Sequence, residues 1–498
     1  MKKIVIIGGG VAGLSAGIFA QKNGFDSVIL EKNHTLGGEC TGWDRQGYHI
    51  DGCIHWLVGT KEGTPIRELW NTVGALEEVE IYEPESFMAF EYEGVTVHFY
   101  RDLDRLKVSW LEISPKDKEM IEEFCNDIRK LHAFDFPVEK PMDMMNLIEK
   151  IKYMLSMKDV GPVLQKYSRL SVQDLAGKFE HPALKKALSA FMPEGDYSAV
   201  SIIFPLGTFT GGQSSIPLGG SRALARRMEE KYLALGGNIE TSCEAMELEI
   251  KGDLVKKVTC SNSKTFVADY FIAACDAKVL YDKLLKGEYL DPKFQKRFRN
   301  PDKYPLASNI YVGVGYEGTM QEMPRTLKFP VDALAIEQNR KPTEYLQMTH
   351  YGYESEFAPV GYTAITVAIN QFEPELENWE RMAQDKEAYN KEKKRIGQEV
   401  IRSMEVRFPE MVGRLKLLDV ASPQTYKQYC NAYRGAFMAF WPTLKGKSLA
   451  HTGQIRGLNN LVLSGQWLQP PGGLPVALIT GKDTIMRLCK KEKQEFSM

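Results

Sequence analysis

The sequence predicts an α/β fold, and three observations predict it. A short β-branched run ends in a glycine-rich turn, the turn opens an apolar helical stretch, and a second strand closes on an acid. The first strand is Lys3 to Ile7, too brief and too β-branched for a helix. It runs into Gly8-Gly9-Gly10-Val11-Ala12-Gly13, a G-x-G-x-x-G. Leu14 to Asn23 then reads as helix with Gly24 as its C-cap, and Ser27 to Leu30 delivers Glu31. In such a unit Gly8 permits the tight turn, Gly10 lets the backbone approach a pyrophosphate, and Gly13 lets helix and strand pack closely. Val11 and Ala12 open a helix whose free N–H groups attract phosphate, and Glu31 would accept hydrogen bonds from ribose hydroxyls.

The chain has 498 residues, with 63 basic against 65 acidic side chains. That length points to more than one domain. The charge balance offers no basic surface for nucleic acid. An apolar share of 43% excludes wholesale disorder. Eight cysteines without a CxxC pair form neither a disulfide framework nor a zinc site, so a reducing cytoplasm is expected and no metal. The apolar run after Met1-Lys2-Lys3 stops at Gly8, which is short for a secretory signal. No stretch reaches the ~18 apolar residues of a membrane span, and peripheral attachment to the inner face of a membrane stays open. A second G-x-G-x-x-G, Gly313 to Gly318, follows the strand-like Ile310-Tyr311-Val312. Pro324 stands soon after it and no second strand with an acid follows, so a plain turn is expected.

After Glu31 come Lys32 and then the doublet Gly37-Gly38, followed by Gly47-Tyr48-His49-Ile50-Asp51-Gly52. This resembles the FAD-binding opening of amine oxidases and phytoene desaturases. At the far end, Asn460 to Gly465 and Pro470-Pro471-Gly472-Gly473-Leu474-Pro475-Val476-Ala477 are similar to the closing signature of that family. Pro217 to Ser221, the helical Arg222 to Leu235 with Gly236-Gly237, and Ala268 to Ala277 match its mid-chain pattern. The chain is identified as a member of the phytoene desaturase-like group, which includes carotenoid desaturases, carotenoid isomerases and retinol saturases. Two departures stand out. Glu39 and Cys40 occupy the place after the doublet where many relatives have Arg, with Arg45 as a substitute, and Gly52 to Leu57 replaces the D-x-G-P-T of many carotenoid desaturases.

The resemblance implies a discontinuous Rossmann-like FAD-binding domain, 1–80, 212–285 and 448–498, and an α+β substrate-binding domain, 81–211 and 286–447. It places Lys32, Gly37, Gly38 and Asp51 against the cofactor, and sets Gly465, Gly472, Gly473, Pro475 and Val476 at the flavin. It implies an FAD-dependent oxidoreductase of phytoene dehydrogenase type that desaturates, saturates or isomerises a C–C bond of a hydrophobic polyene, isoprenoid or lipid-like substrate. An external electron acceptor or donor would complete the cycle. The alternatives are amine oxidase-like C–N oxidation, or flavin binding without turnover.

His55, close after Asp51, is the candidate for moving the proton such chemistry requires, with a structural hydrogen bond as its alternative role. Trp56 would wall the flavin or fill core. Tyr433, Trp441 and Trp467 read as core or pocket lining. Met144, Leu147, Ile148, Ile151, Met154 and Leu155 recur at helical spacing. They read as a helix packed on its own core, or as a lid lying on a membrane or over an apolar tunnel. The charged stretch Glu375 to Arg407 reads as a solvated helix face.

Overall fold

In the computed structural model, which describes residues 1–192 and 196–498, the strand Lys3–Ile7 lies at the centre of a five-stranded sheet. The order is Asn238–Glu240, Asp26–Leu30, Lys3–Ile7, Tyr270–Ala273, Leu461–Leu463, and every pairing is parallel. Alternation along the strand sends Ile4 and Ile6 into one core and Val5 and Ile7 into another. The first core is filled by the helices Val11–Lys22, Gly220–Ala234 and Leu474–Lys491, through Leu14, Leu224 and Leu478. The second takes Val255 and Val258 from a three-stranded antiparallel sheet, Ala245–Lys251, Leu254–Cys260 and Thr265–Phe266. With both faces covered, the strands are apolar almost throughout, as a parallel sheet demands.

A second sheet has seven strands, in the order Leu415–Ala421, Ala307–Tyr316, Thr363–Phe372, Thr343–His350, Thr326–Leu334, Ser86–Tyr92, Val95–Tyr100. It is antiparallel except where Thr326–Leu334 runs parallel to Ser86–Tyr92. The helix Lys386–Arg407 packs on it through Ile396, Val400 and Met404. Its charged residues mostly face water, but Glu392 turns inward and takes Arg395 and the Glu337 N–H. The helices Leu103–Ile113, Lys118–Lys130 and Val200–Thr210 build a further core beside Ser86–Tyr92. The molecule therefore combines a Rossmann-like α/β layer with an α+β part.

Two sequence expectations change. The second G-x-G-x-x-G is not a turn: Gly313 and Gly315 lie inside Ala307–Tyr316 and are paired on both sides. A Cβ on Gly313 would sit 2.4 Å from the Ile50 side chain, and one on Gly315 would sit 2.6 Å from the Tyr48 ring. The glycines thus let the strand Tyr48–Asp51 cross the seven-stranded sheet at close range.

The stripe from Leu147 to Leu155 does form a helix, Leu147–Ser156, closed by a reciprocal Asn146–Glu149 capping box. It packs on no core. None of its residues is buried, and Leu147, Ile148, Met154 and Leu155 are each more than 60% exposed. Among the described residues, no helix is long and apolar enough to cross a membrane.

Gly315→Ala would drive a methyl group into the anchored Tyr48 ring. We expect a loss of about 1–3 kcal/mol in stability, read as a lowered midpoint in thermal melting. An unchanged midpoint would show that the ring yields.

Candidate functional site

A cavity of about 690 Å³ extends from the glycine-rich turn Gly8–Ala12 to Asn309, Gln347 and Asn370 on the seven-stranded sheet. Its size falls in the range of ligand sites. At its first end the backbone does the work. Gly8 has φ +108°, and a Cβ on Gly13 would lie 2.0 Å from the Gly8 carbonyl oxygen. Helix and turn can meet this closely only with glycine there. Gly13 therefore shapes the turn without lining the cavity, while Gly8, Gly10 and Ala12 do line it.

The helix Val11–Lys22 has no side-chain cap, so its first N–H groups and its positive end face the cavity. Gly37 donates its N–H to Gly9 at 2.9 Å, holding the Gly37-Gly38 doublet over the turn. Glu31 accepts from Gly9 N–H at 2.9 Å and from Asn33 N–H at 2.8 Å. Asn33 Nδ2 also donates to it, at 3.0 Å, so of the about four acceptor directions of a carboxylate one is left for a ribose hydroxyl.

Lys32 also lines the cavity, but its ammonium donates to the Gln428 carbonyl at 2.7 Å and to Asn431 at 2.9 Å. Its charge serves that loop. Asp51 departs further from expectation. It does not line the cavity; its carboxylate accepts from Ser221 N–H and Oγ–H, both at 2.6 Å, and from the N–H groups of Cys53 and Ile54. Arg45 is no substitute for the missing cation, because it is paired with Asp419 at 3.0 Å, outside the cavity wall.

The closing motif brings a second uncapped helix end to the same cavity. Gly473, at φ +89°, precedes the helix Leu474–Lys491, and Gly465, Gly472, Gly473, Pro475 and Val476 all line the wall. Gln466 ties this turn together, accepting from Gly473 N–H and donating to Glu39, each at 3.2 Å. Desolvation, with a contribution from Asp276, raises the Glu39 carboxyl well above its ordinary range. Burial also pushes Asp276 up, to about 6, against the pull of the backbone N–H groups of Tyr433, Val279 and Lys278. Burial thus favours the neutral form of Glu39, which weakens the negative charge at the position that departs from the family pattern.

Beyond this turn the wall becomes aromatic. Trp56 is 37% exposed and packs on Phe87 at 4.8 Å, so it is a cavity wall rather than core. Its indole N–H can only donate, which leaves the proton to other groups. Trp441 and Trp467 also line the cavity; Tyr433 does not.

His55 faces the cavity and meets the Tyr311 hydroxyl at 2.5 Å. Asn309 also donates to that hydroxyl, at 3.3 Å. Burial first, then the charge of Arg325, lowers His55 to about 4, while burial raises the Tyr311 phenol. The pair is therefore a neutral imidazole held by a neutral phenol. No local signal in the sequence marked Tyr311, Asn309 or Arg325. Asn309 and Tyr311 share one side of the strand Ala307–Tyr316 by its two-residue alternation, and Arg325 stands just before the strand Thr326–Leu334 of the same sheet.

Two uncapped helix ends, a carboxylate at a strand tip and a buried, unpartnered Ser464 hydroxyl on the wall suit a dinucleotide carrying a flavin. Comparison with known proteins agrees. Residues 11–484 match the family model described as flavin containing amine oxidoreductase. A 1-hydroxycarotenoid 3,4-desaturase of Flavobacterium sp. (strain P99-3) is 22% identical, over 97% of this chain and 98% of that protein. Prolycopene isomerase 1 of an Oncidium hybrid cultivar is 21% identical, over 87% of this chain and 74% of its own length. Among solved structures, putrescine oxidase bound to putrescine shares the fold with TM-score 0.61 at 14% identity, covering 98% of this chain and 99% of that one.

Gly13→Ala would place a methyl group against the Gly8 carbonyl and widen the turn. The purified variant should retain less than about a tenth of the bound-flavin absorbance, with the circular dichroism of a folded protein. Full flavin occupancy would contradict this account of the turn.

Proposed function

The chain belongs to the family of flavin-containing amine oxidoreductases, and from that premise we propose that it forms, removes or shifts a C–C double bond in a hydrophobic polyene, isoprenoid or lipid-like substrate. FAD is the cofactor. One observation carries the choice of bond. Beyond the flavin turn the cavity is walled by Phe87, Phe191, Phe204, Phe209, Met88 and Trp441, and among the described residues no carboxylate lines that end. A protonated amine would find no counter-ion there, whereas an alkyl chain finds a matching surface.

Bound flavin supplies a hydride acceptor or donor, and an external redox partner restores it. The protein's own residues do the rest. The aromatic wall excludes water and orients the chain. The N-terminal end of Leu474–Lys491 favours negative charge at its mouth. His55, neutral and oriented by Tyr311, is the group placed to exchange a proton with a substrate carbon. On this reading the rate falls as His55 becomes charged, so the acid limb should lie near pH 4, where burial places this imidazole, not near the ~6.5 of a free histidine. Rapid mixing from pH 7 into acidic buffers, following flavin absorbance, would show it. His55→Gln should slow the step by about 10²–10⁴-fold and abolish the limb. A limb at the free-histidine position would count against the assignment.

We also propose that the protein works at a membrane surface, with the helix Leu147–Ser156 as its contact. The helix leaves five large apolar side chains in water, each forgoing roughly 1.5–3 kcal/mol of burial. Lys150, Lys152 and Lys158, on or just after it, supply charge suited to anionic lipid. Co-sedimentation should be strong with phosphatidylglycerol vesicles and weak with phosphatidylcholine. The double variant Leu147→Glu, Met154→Glu should bind about tenfold less, and equal binding by it would refute the contact.

A further inference from the structure

Arg325, just before the strand Thr326–Leu334, lines the cavity and is 6% exposed. Its Nη1 donates to Thr326 Oγ1 at 3.4 Å, and its guanidinium lies 5.6 Å from the centre of the Tyr353 ring. Its Nε and Nη2 are fully buried and make no hydrogen bond of normal length, the Tyr353 hydroxyl being the one side-chain group that interacts with the guanidinium from nearby. Among the described residues no carboxylate pairs with it. The groups that feel its charge are His55, His350, Tyr82, Tyr351 and Tyr353. Burial lowers both histidines to about 4, so neither carries charge beside it at pH 7. Asp51 acts on some of the same side chains, but its oxygens are taken by Ser221, Cys53 and Ile54.

The two unpartnered nitrogens form one edge of the guanidinium, the edge that matches the two oxygens of a carboxylate. This protein uses that edge elsewhere. Arg395 holds Glu392 with Nε and Nη2, Arg407 holds Glu91 in the same way, and Arg487 holds Asp143. Those three arginines meet their partners within the fold. Arg325 keeps the same edge buried and unpaired beside a cavity whose remaining wall is largely apolar.

We propose that Arg325 anchors the carboxylate of a substrate whose apolar chain fills the rest of the cavity, so that the substrate is a long unsaturated acid rather than a hydrocarbon. The anchor rests on the C–C reading above and sharpens it. A head group fixed at Arg325 sets which carbons along the chain lie beside His55, so the site of reaction is counted from the acid end.

The test compares parinaric acid with its methyl ester on the flavin-loaded enzyme at pH 8, by calorimetry. The acid should bind about 10- to 100-fold more tightly than the ester. Arg325→Met should erase that preference, and Arg325→Lys should keep part of it, with flavin content and melting midpoint unchanged in both. Equal affinity for acid and ester in the wild type, or a preference that survives in Arg325→Met, would overturn the anchor alone. Binding of neither would overturn the anchor together with the reading of an apolar substrate chain. A variant that fails to hold flavin leaves the wild-type comparison of acid and ester to decide.

Discussion

The cavity is held in shape by one buried carboxylate. Asp51 joins the strand Tyr48–Asp51 to the start of the helix Gly220–Ala234, far along the chain, through both the N–H and the hydroxyl of Ser221. The same carboxylate takes Cys53 and Ile54 N–H, and so folds back the loop that carries His55 and Trp56. Hydrogen bonds to a charged group contribute about 1.5–3 kcal/mol each, and a buried carboxylate stripped of them is costly. Asp51 is thus a positioning residue. It works together with the packing of Tyr48 and Ile50 on Gly315 and Gly313 to set the loop against the sheet that brings Tyr311.

Electrostatics along the cavity follow from how the protein replaces a missing cation. After the Gly-Gly doublet stands Glu39, whose carboxyl desolvation raises well above its ordinary range. The positive potential comes instead from the open ends of Val11–Lys22 and Leu474–Lys491. Helix ends are fixed dipoles and need no side-chain ordering. Among the described residues, Arg325 is the only full cation lining the far wall.

The nucleotide-binding half was legible in the sequence because its determinants are local. Gly8, Gly13, Glu31 and the Gly472-Gly473 turn act through backbone shape, which a short motif encodes directly. The substrate half was not, because its determinants are register and exposure. Gly313 and Gly315 fit a turn pattern, yet their purpose is to let Ile50 and Tyr48 cross a strand. Arg325 follows an unremarkable Met323-Pro324, and nothing near it in sequence shows that its partners are missing. The helix Leu147–Ser156 was read correctly as a helix, but periodicity reports which residues share a face and says nothing of what that face meets. Lys32 and Asp51 show the converse limit: a position near the cofactor motif was legible, whereas the atom each side chain binds was set by Gln428, Asn431 and Ser221 from elsewhere in the chain.

The order of the parallel sheet has a consequence for how the chain folds as it is made. The strand Tyr270–Ala273 pairs on one side with Lys3–Ile7 and on the other with Leu461–Leu463. The helix that closes the flavin turn follows that last strand. A nascent chain that has completed the seven-stranded sheet still carries an open edge at Phe271–Ala273 and half a nucleotide site. Pairings this distant in sequence carry a loop-closure cost and form slowly. Cofactor capture therefore waits until Leu461–Leu463 and the helix after it have been made. Until then, the exposed strand edge is a place where chaperones, or a second nascent chain, can compete with the protein's own final strand.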